Sequence, residues 1–549
     1  MRSSRSGRSR HRLAATGGFV VLLAGIGHAQ IVPVQKLQAS DVSLDDAYVG
    51  YEVAADGDRV VVGAPNKSDV FPQSGAAYVF ERTPSGWVQT AKLTEEADAA
   101  PASGFGRSVA LDGDRIVVGA PGADLGPALA NVGVVYVFDR GPSGWVRVAR
   151  LVSPSPDPSD WYGVEIALDG DTVLASERHD DGEGEKAGRA YVYQRSGTSW
   201  PLVAELVGRD AAAYDFFGAA IDVDGDAALV GALYDDDNGQ DSGAAYVFRR
   251  AAPGATTWVR EAKLLASDGA AGDRFGGDVS IWGDYAVVGA SGDGSATGSD
   301  RGAAYVFRRT ASGWVEMAKL LPSDGGAPAG KFGQHVALDG SALLVAANTL
   351  GAGASAWTGY LFRRTGGIWV EQDRLTCPTL NYVAWDLGSG TAMIGAPLDG
   401  ANDEGAAWLY ELDVPTLEAG VFEASLSAGA TQTLELLPGA EHAGSIHVLL
   451  GSLSGTVPGT PLPQGTLPLN VDAYTQWLLA NPNSPVLQNS FGVLDAQGDA
   501  TATFVLAPGS PPGLVGSRIV HAYVVVSVPP SGPLSVDHIS NAVSLAFAP

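Results

Sequence analysis

FGRSVALDGDRIVVGAP, from Phe105 to Pro121, is the most complete of seven copies of one phrase between Tyr48 and Tyr410. The pairs Val49/Gly63, Phe105/Gly119, Tyr162/Ser176, Phe217/Gly231, Phe275/Gly289, Phe332/Ala346 and Asn381/Gly395 are each 14 residues apart, and the copies recur every 56, 57, 55, 58, 57 and 49 residues. A unit of that size cannot bury its own core and must stack on its neighbours. Within the quoted copy, Ser108 to Leu111 runs into Asp112-Gly113-Asp114, a hairpin turn, and returns through the apolar Arg115 to Ala120. Val134 to Phe138 reads as a third strand, and Gly144-Trp145 opens a fourth that ends near Leu151. Four antiparallel strands make one propeller blade.

The third strand carries aromatics two apart, as at Tyr136/Phe138 and Tyr246/Phe248, and period two sets both on one sheet face. Six tryptophans, Trp87, Trp145, Trp200, Trp258, Trp314 and Trp369, mark the start of strand four. At that spacing they read as filling between blades. The seventh copy ends at Tyr410 without a fourth strand, whereas Val34 to Asp41, VQKLQASD, matches EAKLLASD at Glu261 to Asp268. The N-terminal segment is therefore expected to complete blade seven and close the ring, removing an exposed sheet edge.

Composition agrees with this class. The 549 residues are 45% hydrophobic and 17% charged, with 72 Gly and 32 Pro, which suits many short strands joined by turns and excludes a disordered chain. Arg2, Arg5, Arg8, Arg10 and Arg12 precede an apolar run from Leu13 to Ile26 and then Gly27-His28-Ala29, the pattern of a secretory signal peptide cut after Ala29. Its removal takes the formal charge from -27 to -32, a surface that disfavours nucleic acid and anionic membranes. No later apolar stretch is long enough to span a bilayer. The single Cys377 excludes an intramolecular disulfide and reads as an inert buried thiol.

The units resemble FG-GAP repeats, the blades of the integrin α-subunit propeller, and are most similar to the secreted bacterial branch of that family. Phe105-Gly106 with Gly119-Ala120-Pro121 carries the whole signature. Phe217-Gly218, Phe275-Gly276 and Phe332-Gly333 repeat its first half, and Gly63-Ala64-Pro65 and Gly395-Ala396-Pro397 its second. The resemblance covers about residues 31 to 412, and copy three departs most, with Ser176-Glu177-Arg178 in place of Gly-Ala-Pro. It implies calcium loops between the first two strands of some blades. Here that place holds three-residue turns such as Asp56-Gly57-Asp58 and Asp169-Gly170-Asp171, too short for the six to eight oxygens calcium takes, so those sites do not carry over.

The one cofactor the sequence suggests is a calcium ion at a different loop, Asp235-Asp236-Asp237-Asn238-Gly239-Gln240-Asp241, with Asp235, Asp237 and Asp241 as ligands. The competing reading of the same loop is a solvated acidic turn. Weaker acidic loops stand at Asp180 to Glu183 and at Asp399 to Glu404. Histidines 179, 335, 442, 447, 521 and 538 are scattered rather than set at ligand spacing. His179, beside Asp180 and Asp181, is the nearest thing to an acid-base candidate, against its reading as a surface-loop histidine. No GxSxG elbow, HExxH helix or phosphate loop stands in a convincing setting, so no catalytic residue is assigned.

After Leu412 the period stops. Strand-like runs at Thr433 to Leu437, Ser445 to Leu450, Ala500 to Leu506, Ile519 to Val528 and Ala542 to Phe547, with a short helix at Ala473 to Ala480, suggest a small β-sandwich. Strings such as Ser454 to Gly459 and Phe491 to Gly498 resemble a C-terminal module of secreted bacterial proteins.

The expected whole is all-β: a signal peptide at 1–29, a seven-bladed β-propeller of four-stranded blades at 30–412 closed by the N-terminal strand, and a C-terminal β-sandwich domain at 413–549. The expected function is that of an exported or envelope-associated monomeric binding or adhesion-type protein. It presents propeller loops, led by Asp235 to Asp241, to a protein or glycan at the cell surface. The alternative is a propeller hydrolase or lyase with a site on the axial face, which would need acids or histidines converging from several blades.

Overall fold

A computed structural model of the chain describes residues 29–412, except 32, 42–46, 84, 209, 211, 253, 295–300, 326–329, 352–353, 366–367, 377–383, 389 and 401–403. Beyond Leu412 it describes the strands named below and a few short segments between them. Cys377 and all but Gln476 of the expected helix at 473–480 lie outside the described residues, as do residues 1–28.

Seven four-stranded antiparallel units follow one another. Their first strands are Val53–Asp56, Ser108–Asp112, Ile166–Asp169, Phe217–Asp224, Phe275–Trp282, His335–Asp339 and Ala384–Gly388. Each blade then runs outward in sequence order, as Arg115–Ala120, Val134–Gly141 and Gly144–Leu151 do in blade two. The turn glycines between strands one and two sit in the left-handed region, with φ of 52° at Gly113 and Gly170, which is what Asp-Gly-Asp provides. The preceding aspartate has a second use: Asp56, Asp112, Asp169 and Asp224 each accept the turn N–H of the next blade, from Gly113, Gly170, Gly225 and Gly283, at 2.5–2.9 Å.

The signature glycines mark where backbones of adjacent blades touch. A Cβ on Gly63 would stand 2.1 Å from the carbonyl oxygen of Gly106, and one on Gly231 2.0 Å from that of Gly276. The glycine of Gly-Ala-Pro in one blade thus lies on the Phe-Gly glycine of the next. Ala346 fills the Gly-Ala-Pro position in blade six, before a blade whose sequence has no Phe-Gly pair. The signature phenylalanines are fully buried against the third-strand aromatics: Phe105 lies 5.6 Å from Tyr136 and 6.1 Å from Phe138, and Phe217, Phe275 and Phe332 repeat this. Trp87, Trp200 and Trp258 are buried in the clusters between blades.

The ring closes through the N-terminus. Gln35–Leu37 pairs antiparallel with Ala406–Glu411 as the fourth strand of blade seven, in the register Gln35↔Leu409, Lys36↔Trp408 and Leu37↔Ala407. Leu37 is 1% exposed, and Leu93, Leu151, Leu206, Leu264, Leu320 and Leu375 at the same place in the other six blades are likewise buried. The Gln35 amide reaches blade one, donating to the Trp87 carbonyl at 2.8 Å and accepting the Trp87 N–H at 2.9 Å. An element the sequence did not suggest is Ala29–Ile31, which pairs parallel to the outer strand of blade six at Asp373 to Leu375.

Of the three sheets in the C-terminal part, the smallest pairs Thr460–Leu462 with Gly465–Leu467, and two are larger. One orders Leu417–Ala419, Ala430–Leu436, Ala500–Leu506 and Leu487–Gln488. The other orders Glu423–Ser425, Val543–Ala548, Arg518–Ser527, Ile446–Ser452 and Phe491–Val493, with Ser535–Ile539 beside Arg518–Ser527. Phe504 of the first meets His521 of the second at 5.2 Å between ring centres, and burial lowers the His521 pKa to about 3. Five of these strands, Ala430–Leu436, Ile446–Ser452, Ala500–Leu506, Arg518–Ser527 and Val543–Ala548, follow the runs expected from sequence within a few residues.

Candidate functional site

The seven first strands surround the propeller axis, and alternate residues on each face it. Counting from the signature glycine, the second residue on is Glu52, Ser108, Glu165, Asp278 or His335 in blades one, two, three, five and six. Two further along stand Asp222, Ser280 and Asp386 in blades four, five and seven. These side chains line one polar axial cavity of about 530 Å³, within the range of ligand sites. The acids and the histidine that the sequence scatters over 335 residues, from Glu52 to Asp386, converge here.

Several of these groups also bind the ring together. Asp222 Oδ2 accepts the Ile281 N–H at 2.8 Å and the Ser280 hydroxyl at 3.0 Å. Asp278 Oδ2 accepts the Val336 N–H at 2.8 Å and stands 3.7 Å from His335 Nδ1. Asp386 Oδ2 accepts the Ala55 N–H at 2.7 Å. Each bond crosses to the next blade. Burial pushes the carboxyl pKa values up, to about 8 at Asp278, about 7 at Asp222 and about 6 at Asp386. Glu52 is raised by burial and by the facing Glu165, while Glu165 is raised by burial against the opposing pull of Arg107 and Arg178. Burial lowers His335 to about 4, so it is neutral at pH 7.

The mouth of the cavity has a different character. In blades one to six the residue before the signature pair is left-handed: Tyr48, Trp161, Phe216, Arg274 and Lys331 have φ between 50° and 58°, and Gly104 does the same in blade two. Large side chains are unusual in this region, which glycine enters without strain. Trp161, His179, Phe216 and Tyr234 form an arc, with ring centres 5.0, 5.6 and 5.4 Å apart in turn. Arg107 lies over Tyr51 at 4.2 Å, Arg178 over Trp161 at 5.9 Å and Arg274 over Tyr234 at 5.8 Å.

His179 belongs to this arc and not to the axial cavity. Its Nδ1 lies 3.3 Å from the Ser159 carbonyl, it borders a groove of about 360 Å³, and burial, then Arg178, lower its pKa. Of the calcium candidates, Asp235 and Asp237 converge on the Lys263 ammonium, at 2.7 and 2.6 Å. Asp235 is 2% exposed and also accepts the Tyr246 hydroxyl at 2.8 Å. Asp241 donates its N–H to Asp236 Oδ1 at 2.7 Å. Blade five repeats the pattern, with Lys319 between Asp268 at 2.7 Å and Asp293 at 2.6 Å. Of the weaker acidic loops, Asp180 stands 3.3 Å from Arg189 and Asp399 2.9 Å from Lys36. Among the described residues, no group of three or more His, Cys, Asp or Glu is arranged to hold a metal ion.

The FG-GAP repeat family matches six segments, 32–80, 87–138, 145–193, 200–248, 258–307 and 314–360, which together exceed half of the chain. The protein belongs to the FG-GAP repeat family. Each matched segment takes in an outer strand and ends on the third strand of the next blade, so the family unit straddles two blades of this FG-GAP propeller. The fourth strand of blade six and the first three strands of blade seven lie outside the matched segments. No curated protein matches the chain. Among solved structures, an acylaminoacyl peptidase of Pyrococcus horikoshii, in its orthorhombic crystal form, aligns at 11% identity with a TM-score of 0.37. That alignment covers 72% of this chain and 60% of the peptidase, so the chain spans about three-fifths of that protein's length. No helix among the described residues is long and apolar enough to cross a membrane.

The sequence signal for the axial groups was present. Counting two and four residues on from the second residue of each signature pair picks out the acids, whereas searching for local clusters finds only the rim loops.

Proposed function

We propose that this FG-GAP propeller is an exported binding protein of adhesion type, and that it takes its extracellular or cell-surface partner at the axial cavity and its mouth. The observation that carries the reading is the convergence of Glu52, Glu165, Asp278, His335 and Gln334 from four blades on one polar cavity. The Asp235–Asp241 loop is a weaker candidate for the contact surface, because its first carboxylate is buried against Lys263 and Tyr246. Export rests on the N-terminal sequence alone. Capture from the native envelope or medium tests the site: wild type retains a partner, and Gln334→Trp, which fills the cavity, releases it. Equal retention by both places the site elsewhere.

The second reading is a hydrolase or lyase. It is favoured by Glu165, which is held between the fields of Arg107 and Arg178 and faces Glu52. Asp222, Asp278 and Asp386 are engaged with backbone N–H groups of neighbouring blades, which leaves Glu52 and Glu165 as the acids for chemistry. Release of reducing ends or unsaturated products from polysaccharides, lost in Glu165→Gln, would establish this reading instead.

A further inference from the structure

Three cations at the mouth differ from most of the others in the ring. Lys and Arg number 34 against 61 Asp and Glu, so a cation normally finds a carboxylate. Lys36, Arg59, Lys92, Arg115, Lys263 and Lys319 all do so within 3 Å. Arg178, Arg274 and Lys331, from blades three, five and six, border the axial cavity and have no carboxylate within 4 Å among the described residues. Arg178 and Arg274 lie on ring faces instead, which leaves the edge of each guanidinium free for oxygens. Arg274 and Lys331 are exposed although their left-handed backbone favours glycine, as at Gly104. Arg178 Nε is buried without a hydrogen-bond partner, and so is Nε1 of Trp385, a cavity-lining residue that is 7% exposed.

Below this rim the chemistry is of the opposite kind. The carboxyl groups, Ser108 and Gln334 accept and donate hydrogen bonds to neutral hydroxyls and repel an anion. A ligand that satisfies both layers has a hydroxyl-rich body and an anionic group at one end. Resting on the binding reading above, we infer that the axial cavity takes an acidic sugar residue, its hydroxyls against the carboxyl-lined wall and its carboxylate or sulfate on Arg178, Arg274 and Lys331. A planar guanidinium matches two oxygens of either anion.

The test is calorimetric titration of the full-length protein with hexameric oligogalacturonate, a sulfated dextran oligomer of similar length and neutral maltohexaose. Wild type should bind one or both acidic oligomers at least about tenfold more tightly than the neutral one, a difference of about 1.4 kcal/mol. The two acidic arms separate carboxylate from sulfate as the recognised anion. Arg274→Gln and Lys331→Gln, both at exposed positions, should each weaken acidic binding about threefold to tenfold. Adding Arg178→Gln should reduce it to the neutral level, with the melting temperature confirming that each variant is folded. Arg308→Gln, an exposed cation placed over Tyr285, should change nothing. Maltohexaose bound as tightly as the acids, lost in Gln334→Trp but untouched by the cation variants, overturns the acidic class and leaves the axial site standing. Acidic binding unaffected by Gln334→Trp and by all three cation variants overturns both.

Discussion

Removing the contacts of the closing strand one at a time should show that the N-terminus holds the ring shut. Leu37 is 1% exposed and packs in the cluster that joins blades seven and one, with Val49, Val60, Tyr78, Met393 and Leu409. Leu37→Ala removes buried methyl groups and leaves a cavity, a loss of about 2–5 kcal/mol. Gln35→Ala strands the N–H and carbonyl of Trp87, for about 1–3 kcal/mol. A ring of this size shifts its melting midpoint by about 1–2 °C per kcal/mol, so Leu37→Ala should melt about 2–10 °C early and Gln35→Ala about 1–6 °C early. Val34→Ala is the control: Val34 is 54% exposed and its replacement should stay within about 0.5 kcal/mol of wild type. Deleting residues 30–41 should lower stability further, because it bares the edge of Ala406–Glu411. Scanning calorimetry reads all four. If Leu37→Ala and Gln35→Ala melt with the Val34→Ala control, the strand is an ornament on a ring that closes without it.

The blade contact predicts that Gly231→Ala, whose Cβ would stand 2.0 Å from the Gly276 oxygen, loses about 1–3 kcal/mol. Gly141→Ala, with nothing nearer than 3.4 Å, should lose little, and equal urea midpoints for the two would sink the explanation. The axial carboxyls predict a pH dependence. Asp278, Asp222 and Asp386 hold protons to about 8, 7 and 6 when folded, against an ordinary 3.8. The folded ring then binds more protons than the unfolded chain between about pH 4 and 8, so their contribution to stability falls as pH rises through that window. Asp278→Asn should flatten the slope above pH 6, and an unchanged slope would mean this group titrates elsewhere. His335 acts in the opposite sense, since its folded value of about 4 lies below 6.5 and its contribution is lost as pH falls between those values. A calcium ion held by Asp235, Asp237 and Asp241 must displace the Lys263 ammonium. Calorimetric titration should therefore find tighter calcium binding in Lys263→Met than in wild type, and equal heats would remove the loop as a metal site.

The periodic features of the chain determined its architecture. The Phe-Gly to Gly-Ala-Pro spacing of 14, the paired third-strand aromatics and the displaced Lys-Leu strand at Lys36-Leu37 together specify seven blades and the way they close. They are legible because each encodes a local or nearest-neighbour contact repeated seven times, and repetition separates such signals from accident. The signature glycines were legible as a pattern but not as a cause: only the stacked blades show each as a meeting of two backbones. The Asp235 loop was legible as a cluster and is, in three dimensions, largely the counter-charge of a lysine 26 to 28 residues further on.

What only the tertiary structure decided is the axial cavity. Glu52, Glu165, Asp278 and His335 are one per blade, each with no other acid or histidine within two residues on either side. Their proximity arises from closing a sevenfold ring, which brings first strands together about an axis whatever their distance along the chain. The sequence carries the repeat that builds that axis. The fold supplies the charge pattern around it, cations at the mouth and carboxyls below, because side chains separated by a whole blade have no local signal to announce that they face one another.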